Sequence, residues 1–207
     1  MSVILKRHKT KSRFGGDEGG IAATEFALLM PVLLLLYLGG FELTRIISAN
    51  EKLTLFTRAL GDLSGRSDNA SPSVDTMTTI ASAATAIMRP FDTTGLQIVV
   101  SSMGVNSSNS TFVGGVCSSW AQNAAARPAR QINGNDGLPV TPEVYRTDGA
   151  RYMLAEVAMP YNPVVGASIF RQVFGSNGLR FTRQIPWAQR TNTEIILPGG
   201  SSCPKFK

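Results

Sequence analysis

The chain has 207 residues, 43% of them hydrophobic and 16% charged, enough for one domain with additions. So few charges exclude a chain that is mainly disordered tail or coiled coil. The formal net charge of +6 is uneven: half of it falls within residues 1–20, where Lys6, Arg7, Lys9, Lys11 and Arg13 outnumber Asp17 and Glu18. Beyond this leader the two signs nearly balance, which leaves no footprint for a nucleic acid. The single histidine, His8, also lies in the leader. Ser-His-Asp and Cys-His nucleophilic sites and most zinc geometries are therefore excluded from the rest of the chain. No catalytic residue and no cofactor is expected.

After the leader comes IAATEFALLMPVLLLLYLGGF, residues 21–41. As a helix this run spans about 31 Å, close to the hydrocarbon thickness of a bilayer. The basic cluster before it predicts a cytoplasmic leader and a remainder on the far side. An ordinary cleaved secretory signal fits less well, because its apolar region is shorter and ends at small residues. Here Leu38-Gly39-Gly40 offers only a weak site of that kind. Two residues are unusual for a plain anchor. Glu25 is an acid inside the apolar run; at a helix centre such a group costs about 2.5–3.5 kcal/mol. It asks for a partner or for the headgroup region. Pro31 removes one helical hydrogen bond and predicts a kink.

Cutting after Gly20 would leave Ile21 as the new N-terminus, Glu25 as the fifth residue and Phe26 as the sixth. A basic leader, a glycine at the cut, a fifth-position glutamate, an aromatic residue and an apolar helix together resemble the type IV prepilin processing signal. A cut after Gly16 would put Ile21 fifth, so only the second glycine pair fits. The stretch GGIAATEFALLMPVLLLLYLGGFELTR resembles the N-terminus of the TadE/TadF-like proteins of tight-adherence (Tad) pilus systems. The matching residues are Glu25, Phe26, Ala27, Pro31, the leucines at 33–36, Gly39 or Gly40, Glu42 and Arg45. Thr44 stands where that pattern has glycine. The resemblance covers about the first quarter of the chain. It implies a minor pilin or pseudopilin whose residues 1–20 are removed by a membrane-embedded prepilin peptidase. Residues 21–41 would cross the bacterial inner membrane, residues 42–70 would continue the helix into a linker, and residues 71–207 would form the periplasmic domain. Its partners would be the peptidase, other Tad pilins, the inner-membrane assembly platform and membrane lipid, with no nucleic acid. Glu25 would then pair with the free N-terminal ammonium of a neighbouring subunit. The alternative is an uncut signal anchor holding an adhesive or scaffolding domain outside the membrane.

The helical pattern continues past Arg45. Leu43, Ile46, Ile47, Leu53, Phe56 and Leu60 recur mostly three and four residues apart, predicting one helix over residues 21–60 with an amphipathic second half. GDLSGRSDNASPS is a break. Ser71 as cap and Pro72 at the first helical position predict a second helix, with Val74, Met77, Ile80, Ala81, Ala84, Ile87 and Met88 on one face, ending at Arg89 before Pro90. From Gly95 onward LQIVVSSM, FVGGVCSSWA, RYMLAEVAM and LRFTRQI read as strands. SSMGVNSSNS and INGNDGLPVTPEV read as turn-rich loops, the second with the composition of a long exposed excursion. Its Asn-Gly-Asn-Asp-Gly run has part of a calcium-loop pattern but lacks the spaced acids and the closing glutamate, so no metal site is expected. NPVVGASIFRQVFG reads as a short helix or loop whose Val164, Val165, Ile169 and Phe170 cover a sheet edge. The sum is an α+β fold with a long N-terminal helix, a second helix and a small antiparallel sheet, a layout shared with pseudopilins.

Cys117 and Cys203 are the only cysteines. On an oxidising outer side an even pair favours one disulfide. It would close a long loop, worth at most about 4–5 kcal/mol in the chain-entropy model, and tether the tail GGSSCPKFK. Two free buried thiols and a catalytic cysteine are the other readings, the last without a histidine to activate it. The remaining acids, Asp62 and Glu156 among them, show no catalytic spacing and read mostly as solvated groups beside turns.

Overall fold

The computed structural model describes residues 19–66, 70–108, 111–168, 172, 175, 179–191 and 193–206. The leader to residue 18, Ile169 and Phe170 lie outside the described residues. Two compact units are present, residues 1–43 and 44–207, and the division falls inside the first helix.

That helix, α1, runs Gly19–Gly65 and contains Pro31 without being ended by it. In the first unit every side chain from residue 20 to residue 41 is exposed. In the second unit the same helix becomes one-sided. Ala49, Leu53, Phe56 and Leu60 are fully buried at intervals of three and four, whereas Leu55 is exposed. Leu43 and Ile47, expected on the buried stripe, are also exposed. The helix runs five residues beyond the expected end at Leu60. Gly61 and Gly65 do not break it, because each lies too close to the sheet for ordinary packing. A Cβ on Gly61 would stand 3.1 Å from Trp187 Cβ, and one on Gly65 would stand 3.1 Å from the Ala188 carbonyl oxygen. The Arg190 N–H donates to the Gly65 carbonyl at 3.0 Å and holds the helix end.

The second helix, α2, covers Val74–Thr85 and is followed by a 3₁₀ turn over Ala86–Met88. Its cap is Ser73, not Ser71: the Ser73 hydroxyl accepts from the Thr76 N–H at 3.1 Å. Shifting the start by two residues leaves Val74 exposed in the first turn, while Met77, Ala81, Ala84 and Met88 are buried. The Lys52 ammonium donates to the Ile87 and Arg89 carbonyls at the end of the 3₁₀ turn.

Four strands follow: β1 Gln97–Ser108, β2 Thr111–Gln122, β3 Arg151–Tyr161 and β4 Leu179–Ala188. They form one antiparallel sheet in the order β2-β1-β3-β4. The fold is thus α+β, with two helices and a four-stranded sheet. β1 extends five residues past its expected end at Met103, into a serine-rich stretch that reads as a loop. Pairing overrides composition there: Gly104 is bonded between Gly115 on one side and Arg151 on the other. The buried Ser101 hydroxyl finds a partner in Ser119 at 3.0 Å.

Alternation along the strands builds two cores. Ile98 and Val100 of β1 and Ala155, Val157 and Met159 of β3 pack with the α1 stripe, with Met77 and Ala81 of α2, and with Trp120. Met103, Val105, Val116, Tyr152 and Leu154 form a smaller cluster. The loop over residues 132–144 is exposed along much of its length, as expected, but it is anchored. Its Leu138, 4% exposed, joins this second cluster, and just beyond it the Tyr145 ring stacks on Tyr152 at 4.6 Å. Val164 is exposed.

Phe56→Ala removes a fully buried aromatic side chain from the main core and should lower unfolding free energy by about 3–5 kcal/mol. Leu55→Ala, one residue earlier on the exposed face, should stay within about 0.5 kcal/mol. Urea titration of the two variants in detergent micelles measures the difference.

Candidate assembly helix and the docked tail

The residues singled out in the sequence fall in two places. Gly20, Ile21, Glu25, Phe26 and Pro31 lie on the apolar part of α1. Ile21 and Phe26 are 61% and 58% exposed. The Thr24 hydroxyl bonds the Ile21 carbonyl at 2.8 Å. Among the described residues the Glu25 side chain has no hydrogen bond or ion pair. A Cβ at Gly20, Gly39 or Gly40 would meet nothing within 4 Å. Glycine within a helix costs about 0.5–1 kcal/mol relative to alanine, and among the described residues no neighbour requires it at these three positions. The long leucine-rich surface around them is larger than a soluble monomer ordinarily exposes. The helix is long and apolar enough to cross a membrane.

Cys117 and Cys203 are bonded, with Cα atoms 4.3 Å apart. In the β1–β2 ladder Ser102 faces Ser118 and Met103 faces Val116, so Cys117 is the extra residue of a bulge. The bulge changes which face β2 presents: Trp120 points to the main core and Val116 to the second. The tail that ends at Cys203 is docked along its length. Ile195 and Leu197 are buried in the main core. The Leu197 N–H donates to Ser118 Oγ at 2.9 Å, and the Ile196 N–H donates to the Ala70 carbonyl at 2.7 Å. Phe206, 5% exposed, lies where a Cβ on Gly115 would be, 2.6 Å from its ring. Gly104 similarly makes room for the disulfide, since its Cβ would stand 2.4 Å from Cys203 Sγ and 2.8 Å from Cys117 Sγ. Among the described residues, the acidic and cysteine side chains with metal-like spacing are Cys117, Glu194 and Cys203. The two sulfurs are committed to each other while their bond holds.

Two polar clusters escaped the sequence reading. Asp62, at the end of α1, accepts from Trp187 Nε1 at 3.0 Å and pairs with Arg66 at 2.8 Å and Arg190 at 3.0 Å. Burial opposes its charge, but these donors outweigh burial and hold the carboxyl below its ordinary range. Glu156, 8% exposed, receives Arg127 as a two-pronged pair, Nε to Oε2 at 3.0 Å and Nη2 to Oε1 at 2.8 Å. Gln184 adds a bond at 2.8 Å. Hydrogen bonding to Glu156 raises the Arg127 pKa. The cleft beside this pair measures about 210 Å³ and includes Gln97, Val99 and Thr182. A legible signal existed for Glu156: it is the one acid in the apolar run YMLAEVAM. Asp62 sits among turn formers and gave none.

Together these features define a class: a protein with one long apolar N-terminal helix that continues into a disulfide-bonded α+β domain. Residues 20–59 match the family model described as TadE-like protein, so the N-terminal segment of this chain is TadE-like. The match supports a Tad pilus-associated, pilin-like protein. The matched stretch covers the apolar run and the first part of the buried stripe. No curated protein matches the chain, and no solved structure does.

Asp62 carries its pH dependence in a definite direction. A carboxyl with a depressed folded pKa stabilises the fold above its unfolded pKa of about 3.9, and that stabilisation is lost as pH falls through the folded value. Asp62→Asn should therefore lower Tm at neutral pH and flatten the acid limb of a Tm-versus-pH curve. An unchanged acid limb would show that Asp62 is uncoupled from folding.

Proposed function

We propose that this protein is a minor pilin or pseudopilin of a Tad-type pilus, inserted as a precursor and cut after Gly20. The observation that carries this reading is the TadE-like helix with an exposed Glu25, its side chain unpartnered among the described residues, five residues past a glycine where a Cβ would meet nothing. The helix stays in the bacterial inner membrane once the charged leader is gone. The leader faces the cytoplasm, and the α+β domain lies in the periplasm or on the assembled pilus. The new ammonium at Ile21 and the carboxylate at Glu25 of a neighbouring copy form an ion pair that fixes the register of bundled helices. The prepilin peptidase acts on the precursor, and other Tad pilins, the assembly platform and lipid are the partners of the mature form. A domain of this size beyond the membrane suits a minor, initiating or tip subunit better than the bulk subunit of a thin fibre. The protein works by packing; no chemistry is assigned to its side chains.

Gly20→Phe should block processing, because a bulky residue keeps the peptidase from the backbone. Mass spectrometry should find native protein beginning at Ile21 and the variant beginning at Met1 or Ser2. Native protein that retains its leader would instead support an uncut anchor. Glu25→Ala should be processed normally but incorporate poorly into sheared pili. Wild-type levels of incorporation would remove the ion pair from the account.

A further inference from the structure

We propose that Cys117, Cys203 and Glu194 form a binding site for a soft divalent cation of the zinc class when the Cys117–Cys203 bond is reduced. The site and the disulfide are mutually exclusive, and neither depends on the proposed pilus role. One donor atom from each of the three residues lies within 4.8 Å of the others. A tetrahedral zinc with bonds of about 2.3 Å to sulfur and about 2.1 Å to oxygen needs donors about 3.5–3.8 Å apart. Opening the bond lets the sulfurs reach that separation without the tail leaving. Cys117 is a bulge residue with no partner opposite it in β1, so its backbone has freedom to adjust. Gly104 places no side chain beneath the sulfurs.

The tail stays docked without the bond because other contacts hold it on both sides of Cys203. Ile196 and Leu197 are hydrogen-bonded to Ala70 and Ser118, and Phe206 is packed on Gly115. Glu194 is already oriented: one carboxylate oxygen accepts the Cys203 N–H, which leaves the other for a cation. The charge also balances. Two thiolates and a carboxylate carry three negative charges. The Arg151 guanidinium, which crowds the same space over Gly104, offsets one. A divalent cation neutralises the remaining two. Without it the single Arg151 charge faces three anions, one of them a fully buried Cys117 thiolate.

The chemistry is a two-electron reduction followed by ligand exchange. A dithiol reductant passes two electrons and two protons to the disulfide and becomes oxidised itself. The cation then displaces the two thiol protons and binds both sulfurs, Glu194 and one water. Cysteine and carboxylate together select zinc, cobalt or cadmium over magnesium or calcium, which prefer oxygen alone.

The test uses the full chain in detergent micelles, reduced and then titrated with cobalt(II) alone. Reduced protein should bind one cobalt with thiolate charge-transfer absorption and the visible bands of a tetrahedral site, and zinc should bleach both. Untreated disulfide-bonded protein should give neither. Glu194→Gln should weaken cobalt binding at least about tenfold while both thiols remain titratable. Reduced protein without these bands overturns the proposal, whether or not the tail has stayed docked. So does an affinity that Glu194→Gln leaves unchanged.

Discussion

The contact of Ala49, Leu53, Phe56 and Leu60 with the inner face of the sheet is what the fold of the domain rests on. Each of the three larger side chains contributes about 1.5–3 kcal/mol by leaving water. Together they fix the face that α1 presents and therefore which strand residues must be apolar. Polar contacts then set the position along the helix. Arg183 reaches Asn50 and, at 3.1 Å, Thr54, and Trp187 reaches Asp62. Burial alone would tolerate a slide of one helical turn, since the stripe repeats; these donors and acceptors do not repeat.

Close approach is the second constraint. Gly61 and Gly65 bring α1 down onto β3 and β4, and Gly104 and Gly115 open the β1–β2 hairpin to the disulfide and to Phe206. Gly200 does the same on the tail, where a Cβ would stand 2.3 Å from Ser118 Cβ. None of these five shows a positive φ. Their common feature is missing volume, not backbone freedom. The tail therefore behaves as part of the core rather than as an appendage. Ile195 and Leu197 join the main cluster, and the disulfide locks a segment that side-chain burial has already placed.

Most of the architecture was legible because it follows from periodicity. The buried stripe of α1, the α2 face at Met77, Ala81 and Ala84, and the four strands follow repeats near 3.6 or 2 in side-chain polarity, and the helix over the apolar run follows from its length and composition. What was not legible depends on contacts distant in sequence. Nothing local says that the serine-rich half of β1 is a strand; only pairing with β2 and β3 makes it one. The glycines near residue 61 read as a break because their partner, Trp187, lies far along the chain. The loop over residues 132–144 looked wholly solvated because nine polar or turn-forming residues hide one leucine that matters. Of the site residues, Glu25 stood out because an acid in an apolar run violates its surroundings. Asp62 among turn formers violated nothing.

The two halves of α1 separate two kinds of energy. Side chains at residues 49–60 are buried by this chain, so changes there alter the folding equilibrium of the domain directly. Side chains at residues 20–41 are exposed, so changes there remove little burial among the described residues. Whatever free energy their apolar surface releases must come from lipid or from other helices. In hydrocarbon the difference between lipid and a neighbouring helix is small for leucine, because both are equally apolar. The discriminating groups are then those that lipid cannot satisfy, a carboxylate above all. On this reasoning the leucines hold the helix in the membrane without choosing its neighbours. Glu25, the acid within the apolar run, is the group there that lipid satisfies least.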